Sequence, residues 1–301
     1  MTHGGAWLTV TDVPVARANQ LLGASYQLYR HSKTNDTIIR TVGYALPAVL
    51  HTHIQTVAPT TYFPSTRMPR QTPRRRSFGE ATAQSGKLVA VLSSRDGDFT
   101  WPSNLRSQYK TFAYEPVATD KNKLGVVGFV NEYPSQADLT RFMTDFSSDA
   151  EDAIFTVEQV NGGGNDQRKP GKEANADVQY AGAMAYPTPL IFYSIGGIAH
   201  WGPTGRPVPG RDMYLEWFKY LLDQPNIPQT ISISYANYEK DFPPQYMTAL
   251  CDLFGQLGAR GVSVLFPSGD TGVGLPGDCK DGSGNVRFIP EFPPSCTWGV
   301  L

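Results

Sequence analysis

The sequence predicts an α/β chain: a parallel sheet covered by helices on both faces, preceded by a smaller unit in which helices and strands mix. Three observations lead there. From about Lys123 onward, short apolar runs alternate with helix-spaced stretches, the pattern of strand–helix–strand units. The first run, Leu124-Gly125-Val126-Val127-Gly128-Phe129-Val130, is apolar without interruption, as a strand buried on both faces is. The 301 residues are 40% hydrophobic and 18% charged, enough apolar surface to bury a sizeable core.

In chain order, Val15 to Leu22 has the spacing of a short amphipathic helix. Tyr26 to Tyr29 and Ile38 to Val42 read as short strands, and Pro47 to Ile54 as a second helix with proline in its first turn. Beyond Lys123, helical spacing runs through Leu139, Phe142 and Phe146, and Ile154 to Val157 is the next strand. A helix over Glu173 to Met184 leads to a strand over Pro189 to Ser194. A helix over Asp212 to Leu222, a strand over Thr230 to Tyr235, a helix over Pro244 to Leu257 and a strand over Val262 to Phe266 complete the series. Such alternation predicts right-handed crossovers, with ligands gathered at the carboxyl ends of the strands.

Between the two parts, Arg67, Arg70, Arg74, Arg75 and Arg76 crowd a stretch that also holds Pro64, Pro69 and Pro73. Like charges repel and proline blocks regular structure, so an extended, exposed linker is expected. A sharper reading makes Arg75-Arg76 a processing site.

The net charge of −1 offers no positive field for a polyanion, so nucleic acid is not an expected partner. No run of about 18 apolar residues exists for a membrane span. No charged start followed by an apolar stretch marks a signal peptide. Cys251, Cys279 and Cys296 fit no zinc pattern, and one disulfide with a third thiol left over is one arrangement they allow. His51 and His53 have no cysteine or carboxylate nearby in sequence and read as ordinary histidines. A sequon occurs at Asn35-Asp36-Thr37.

Three clusters could carry chemistry. Glu173 and Asp177 lie four apart and share a helix face. Close carboxylates split their pKa values, which suits proton transfer, although the same spacing also describes a solvated face. Ser268-Gly269-Asp270-Thr271-Gly272 follows a strand, so Asp270 falls at the sheet's carboxyl edge, either facing a ligand or closing a turn on its own backbone. Tyr193-Ser194-Ile195-Gly196-Gly197, at another strand end, is either a groove wall for an extended peptide or a plain glycine turn. Asn161-Gly162-Gly163-Gly164-Asn165 lacks phosphate-loop spacing.

In order and context these clusters resemble the sedolisin family of serine-carboxyl peptidases, subtilisin-fold acid peptidases that include the tripeptidyl peptidases. The resemblance rests on Glu173-Ala174-Asn175-Ala176-Asp177-Val178-Gln179-Tyr180, on Tyr193 to Gly197, and on the run from Gly258 to Gly272. Tyr44 to Ile54 and Pro59 to Phe63 resemble the end of the family's activation propeptide. The resemblance implies a partial propeptide over residues 1–63, a linker over 64–86 and a partial, subtilisin-like peptidase domain over 87–301. It implies Glu173 as general base, Asp177 as its orienting partner, Asp270 in the oxyanion hole, and Ser194, Gly196 and Gly197 as substrate-binding residues. It implies peptide or protein substrates, the chain's own propeptide as a partner, an extracellular location, and calcium bound at a C-terminal site beyond this chain.

The family's nucleophile lies in a Gly-Thr-Ser motif, and no Gly-Thr-Ser occurs here. Ser283 and Ser295, the serines after Asp270, do not fit it. The expectation is a chain truncated at both ends and without peptidase activity as written. A peptide-binding protein without catalysis and an unrelated doubly wound small-molecule binder are the other readings.

Overall fold

The computed structural model describes residues 7–30, 35, 37–63, 100–129, 131–196, 213–269, 280 and 283–299. The linker and Arg75-Arg76 lie outside them, as do Asp270, Gly197 and Cys279.

The first unit follows its sequence pattern with one exception. Helix α1 (Val15–Leu22) ends on Gly23, whose left-handed φ of 53° closes the last turn. Strands β1 (Gln27–Arg30) and β2 (Thr37–Arg40) pair antiparallel, Gln27 opposite Arg40. The helix expected over Pro47 to Ile54 is only a three-residue 3-10 turn, Ala48–Leu50. Pro47 supplies no capping side chain, and Val49 is exposed. Without burial, so short a segment cannot offset the cost of helix nucleation.

This unit is packed onto the rest of the chain. Arg40 is buried, and its Nε donates to the Tyr62 carbonyl at 2.7 Å. The Tyr62 ring stacks on Phe242 and Tyr246, centroids 5.1 and 4.9 Å away. Lys219 lies over the Trp7 ring at 5.6 Å.

The second unit opens with α2 (Pro102–Gln108), which no periodicity announced. It is held from outside: Arg106 donates to the carbonyls of Ala183 and Met184, and Trp101 stacks on Phe146. There follow β3 (Leu124–Gly128), α3 (Gln136–Phe146), β4 (Phe155–Val160), α4 (Lys172–Ala185), β5 (Leu190–Ile195) and α5 (Met213–Asp223). Next come β6 (Thr230–Ile233), β7 (Asn237–Tyr238), α6 (Pro244–Ala259), β8 (Ser263–Leu265) and β9 (Glu291–Phe292). Ser135 caps α3 by accepting from the Asp138 amide at 3.2 Å.

Five strands form one parallel sheet in the order β4-β5-β3-β6-β8. Numbered as they occur in the sheet-forming part of the chain, the order is 2-3-1-4-5, not the 3-2-1-4-5 of a dinucleotide-binding fold. On one face Val126, Leu190 and Phe192 pack against Ala174 and Val178 of α4. On the other, Val127, Phe129, Ile191, Tyr193, Ile231 and Ile233 pack against α5 and α6. Trp217 and Phe218 of α5 and Leu250 and Phe254 of α6 fill that larger core.

The crossovers are not all of one hand, contrary to the expectation. Helix α3 packs beside α4 through Leu139, Met143 and Ala183, so both lie on the same face. The chain moves outward from β3 to β4, then back inward to β5. Two connections that run in opposite directions over one face have opposite hands. β5 to β6 and β6 to β8 run the other way over the other face, and so share the hand of β3 to β4. β4–α4–β5 is therefore the exception to a rule that holds for about 98% of such units. Alternation predicts which elements occur but not the face each helix takes. The consequence is functional: α4 is seated over the middle of the sheet.

Cys251 and Cys296 form a disulfide across 45 residues. It ties α6 to the segment that carries β9, which pairs antiparallel with β7 just beyond β6.

Candidate functional site

Helix α4 starts beside the carboxyl end of β3, where Glu132 stands. Glu132 Oε2 accepts the Glu173 amide at 3.2 Å. An N-terminal amide left over by the helix is thus satisfied by a carboxylate, the charge that end of a helix favours. Gly171 precedes the helix because a side chain there would run into Glu132. Asn175 fixes the first turn: its Oδ1 accepts from the Ser135 amide at 2.8 Å and its Nδ2 donates to Asp138 at 2.7 Å. With Ala174 and Val178 against the sheet, Glu173 and Asp177 fall on a neighbouring row, directed along the sheet's carboxyl edge.

Asp177 meets the end of β6. Val126 pairs with Ser232, and Val126 belongs to the α4 face. Alternation along the strand puts Ser234 on that face too. Its Oγ donates to Asp177 Oδ1 at 2.8 Å. The Asp177 carboxyl is pushed up to about 7, first by burial, which the Ser234 hydrogen bond opposes, and then by the charges of Glu173 and Glu132. Burial pushes the Tyr235 hydroxyl well above the usual tyrosine range, with Asp177, Glu132 and Glu173 adding to it. The Tyr235 ring is held edge-on to Phe129, centroids 5.1 Å apart, and its carbonyl accepts from the Tyr214 hydroxyl at 3.2 Å.

The acidic pair therefore does lie on α4 as its spacing predicts, in a partly buried cluster rather than on a solvated face. Sequence reading missed Glu132, Ser234 and Tyr235. The signal was available, since each lies within four residues of the carboxyl end of a strand of a parallel sheet, where ligands collect. Such a cluster can hold and pass a proton near neutral to acid pH. Because Glu132 raises the Asp177 carboxyl, Glu132→Gln is expected to lower its titration midpoint, read by carbon-13 NMR of the side-chain carboxyl. An unchanged or higher midpoint would show that Glu132 does not act on Asp177.

The other predicted positions are less exposed to a ligand. Ser194 is buried. The Gly196 amide donates to the Val160 carbonyl at 2.9 Å, and its carbonyl accepts from Asn161 Nδ2 at 3.2 Å. Both backbone groups of Gly196 are thus engaged within the fold. Gly269 takes φ 78° with Glu291 packed against it, and Asp270 follows outside the described residues. His51 contacts the Leu46 carbonyl at 2.9 Å. Among the described residues, no three His, Cys, Asp or Glu side chains are placed to hold a metal ion. Among the described residues, no helix is long and apolar enough to cross a membrane.

The five-stranded parallel sheet with a carboxylate cluster at its carboxyl edge defines an α/β protein with an acidic site. Comparison with known proteins is specific. Residues 1–63 match the family model of the pro-kumamolisin activation domain. Tripeptidyl-peptidase SED2 of Arthroderma otae is 32% identical over 97% of this chain and 50% of its own length. Tripeptidyl-peptidase sed4 of Aspergillus fumigatus is 32% identical over 94% of this chain and 48% of its own. Among solved structures, Pseudomonas sedolisin, a serine-carboxyl proteinase complexed with pseudo-iodotyrostatin, matches with TM-score 0.46 and 18% identity, covering 66% of this chain and 52% of that one. The chain is similar to fungal tripeptidyl-peptidases of the sedolisin type, its first 63 residues match an activation domain, and its larger part is an α/β fold on a parallel sheet. It spans about half the length of the curated relatives it matches.

Proposed function

We propose that this chain supplies the acidic half of a serine-carboxyl peptidase site that hydrolyses peptide bonds under acid conditions. The observation that carries this is the cluster of Glu173, Asp177 and Glu132 around one hydrogen-bonded carboxyl whose pKa stands near 7. Glu173 takes the proton of an attacking serine and returns it to the leaving amine. Asp177 orients Glu173, and a protonated Asp270 donates to the developing oxyanion. A histidine base would be charged under such conditions and could not accept the proton. The serine belongs to a Gly-Thr-Ser motif that these 301 residues do not contain. In deacylation Glu173 takes a proton from water, the water oxygen bonds to the acyl carbon, and the proton returns to the departing serine oxygen. Ser194, Gly196 and Gly197 form one wall of the substrate groove.

The stability of the site points the same way. A carboxyl whose pKa rises from 3.8 to about 7 on folding binds more protons folded than unfolded across that interval. Stability contributed by this group is then full below about 4 and is lost as pH rises toward 7. The site is favoured in acid.

The names of the relatives favour release of tripeptides over internal cleavage. Residues 1–63 act as the activation segment, 64–86 as a linker cut at or near Arg75-Arg76, and 87–301 as the peptidase portion. The disulfide fits an oxidising, extracellular setting. The test is turnover of an acid-denatured protein at low pH. The 301-residue chain alone is expected to give no product. The same chain extended through an in-frame Gly-Thr-Ser is expected to cleave, and to lose activity on Glu173→Gln. Cleavage indifferent to Glu173 would overturn the assignment.

A further inference from the structure

We propose that Ser234 is a positioning residue for the acidic pair: its hydroxyl clamps one oxygen of Asp177 and leaves the other to share a proton with Glu173. This rests on the reading of Asp177 as the partner of Glu173.

The case is geometric. Ser234 reaches Asp177 for two separate reasons of topology. Pairing of Val126 with Ser232 fixes which residues of β6 face α4, and Ser234 continues that alternation. The reversed hand of β4–α4–β5 seats α4 over β3, beside the end of β6. Neither feature is needed for a sheet of this order, and together they deliver a hydroxyl to a carboxyl at 2.8 Å.

Ser234 supplies a hydrogen-bond donor to Asp177 in a neighbourhood that holds two further acids. The groups bearing on Asp177 are Glu173 on its own helix, Glu132 from beyond β3, and Ser234 and Tyr235 from the end of β6. Burial and both glutamates favour the protonated acid, while the serine favours the carboxylate. A hydroxyl has one proton, and donating it to Asp177 fixes which oxygen is occupied. Without that bond, Asp177 would hold its own proton more tightly and be free to rotate, losing both the charge and the direction through which it acts on Glu173.

The experiment is a carbon-13 NMR titration of the Asp177 carboxyl in the 301-residue chain, assigned with Asp177→Asn. It needs no peptidase activity, so its result stands apart from the acid assay. Ser234→Ala is expected to tighten proton binding at Asp177 by about tenfold, the scale of one charge-assisted hydrogen bond. Ser234→Thr, which keeps the hydroxyl, is expected to restore the original midpoint. An unchanged midpoint in a folded Ser234→Ala protein would overturn the proposal. If the alanine variant does not fold, Ser234→Cys, a weaker donor, replaces it. A midpoint above that of the serine protein supports the clamp, and one equal to the serine protein's removes it.

Discussion

Cys251→Ser, or Cys296→Ser, is expected to lower unfolding stability by about 4 kcal/mol, the chain-entropy estimate for closing a loop of this size. The two residues are 45 apart in sequence, and the open chain regains the freedom that the bond removes. The effect should also be local. Cys251 lies within α6, whose Leu250, Leu253 and Phe254 are buried in the larger core. Cys296 is itself buried and anchors the segment that ends in Trp298, whose ring rests on Gly255. Through that segment β9 is held against β7, and Glu291 against Gly269. Loosening it would free Glu291 from Gly269 before the rest of the sheet is disturbed. Denaturant unfolding of the wild type, of the serine variant and of the reduced wild type measures it. The last two should coincide. A loss below about 1 kcal/mol would mean that the unfolded chain is already compact around this bond.

Much of this fold could be read from period alone, and the reasons differ between elements. The strands β3 and β5 are buried on both faces, so their runs are apolar without a break, a pattern few other structures share. Helix α6 spans 16 residues with one buried face, long enough for its spacing to declare it. Helix α2 gave no signal because its partners, Ala183, Met184 and Phe146, lie far along the chain. The two-residue strands β7 and β9 are equally invisible, since they exist only because the disulfide segment returns. The cysteine partners were undecidable from spacing, and only the packing of α6 selects Cys251 with Cys296.

The site divides in the same way. Glu173 and Asp177 are local, four apart on one helix, and their relation is fixed by helical geometry. Glu132 and Ser234 join them from 41 and 57 residues away. Their arrival depends on the face α4 takes, which is the one topological choice that default handedness predicts wrongly. A pattern reader therefore finds the acids but not the neighbours that set their protons.

Gly163→Ala is expected to be the most damaging single-methyl change near this site, and the comparison with Gly162 explains why. The chain leaves β4 at Val160 and turns through Asn161 and Gly162, with φ of 55° and 81°. At Gly162 nothing lies where a side chain would go, so alanine there meets only left-handed backbone strain, about 1–2 kcal/mol. Gly163 is the opposite case. A methyl group would overlap the carbonyl of Ser194, and the obstacle is the backbone of a buried interior strand that cannot step aside. The Val160 carbonyl accepts from both Gly163 and Gly196, so any retreat breaks the contact joining the ends of β4 and β5. Overpacking commonly costs about 1–3 kcal/mol where side chains can adjust, and here they cannot, so a loss above about 3 kcal/mol is expected. Urea unfolding of both variants tests this. Gly163→Ala within about 1 kcal/mol of wild type would mean that this loop lifts away from β5 at little cost. The proposed groove wall at 194–197 would then be a movable surface instead of a fixed one.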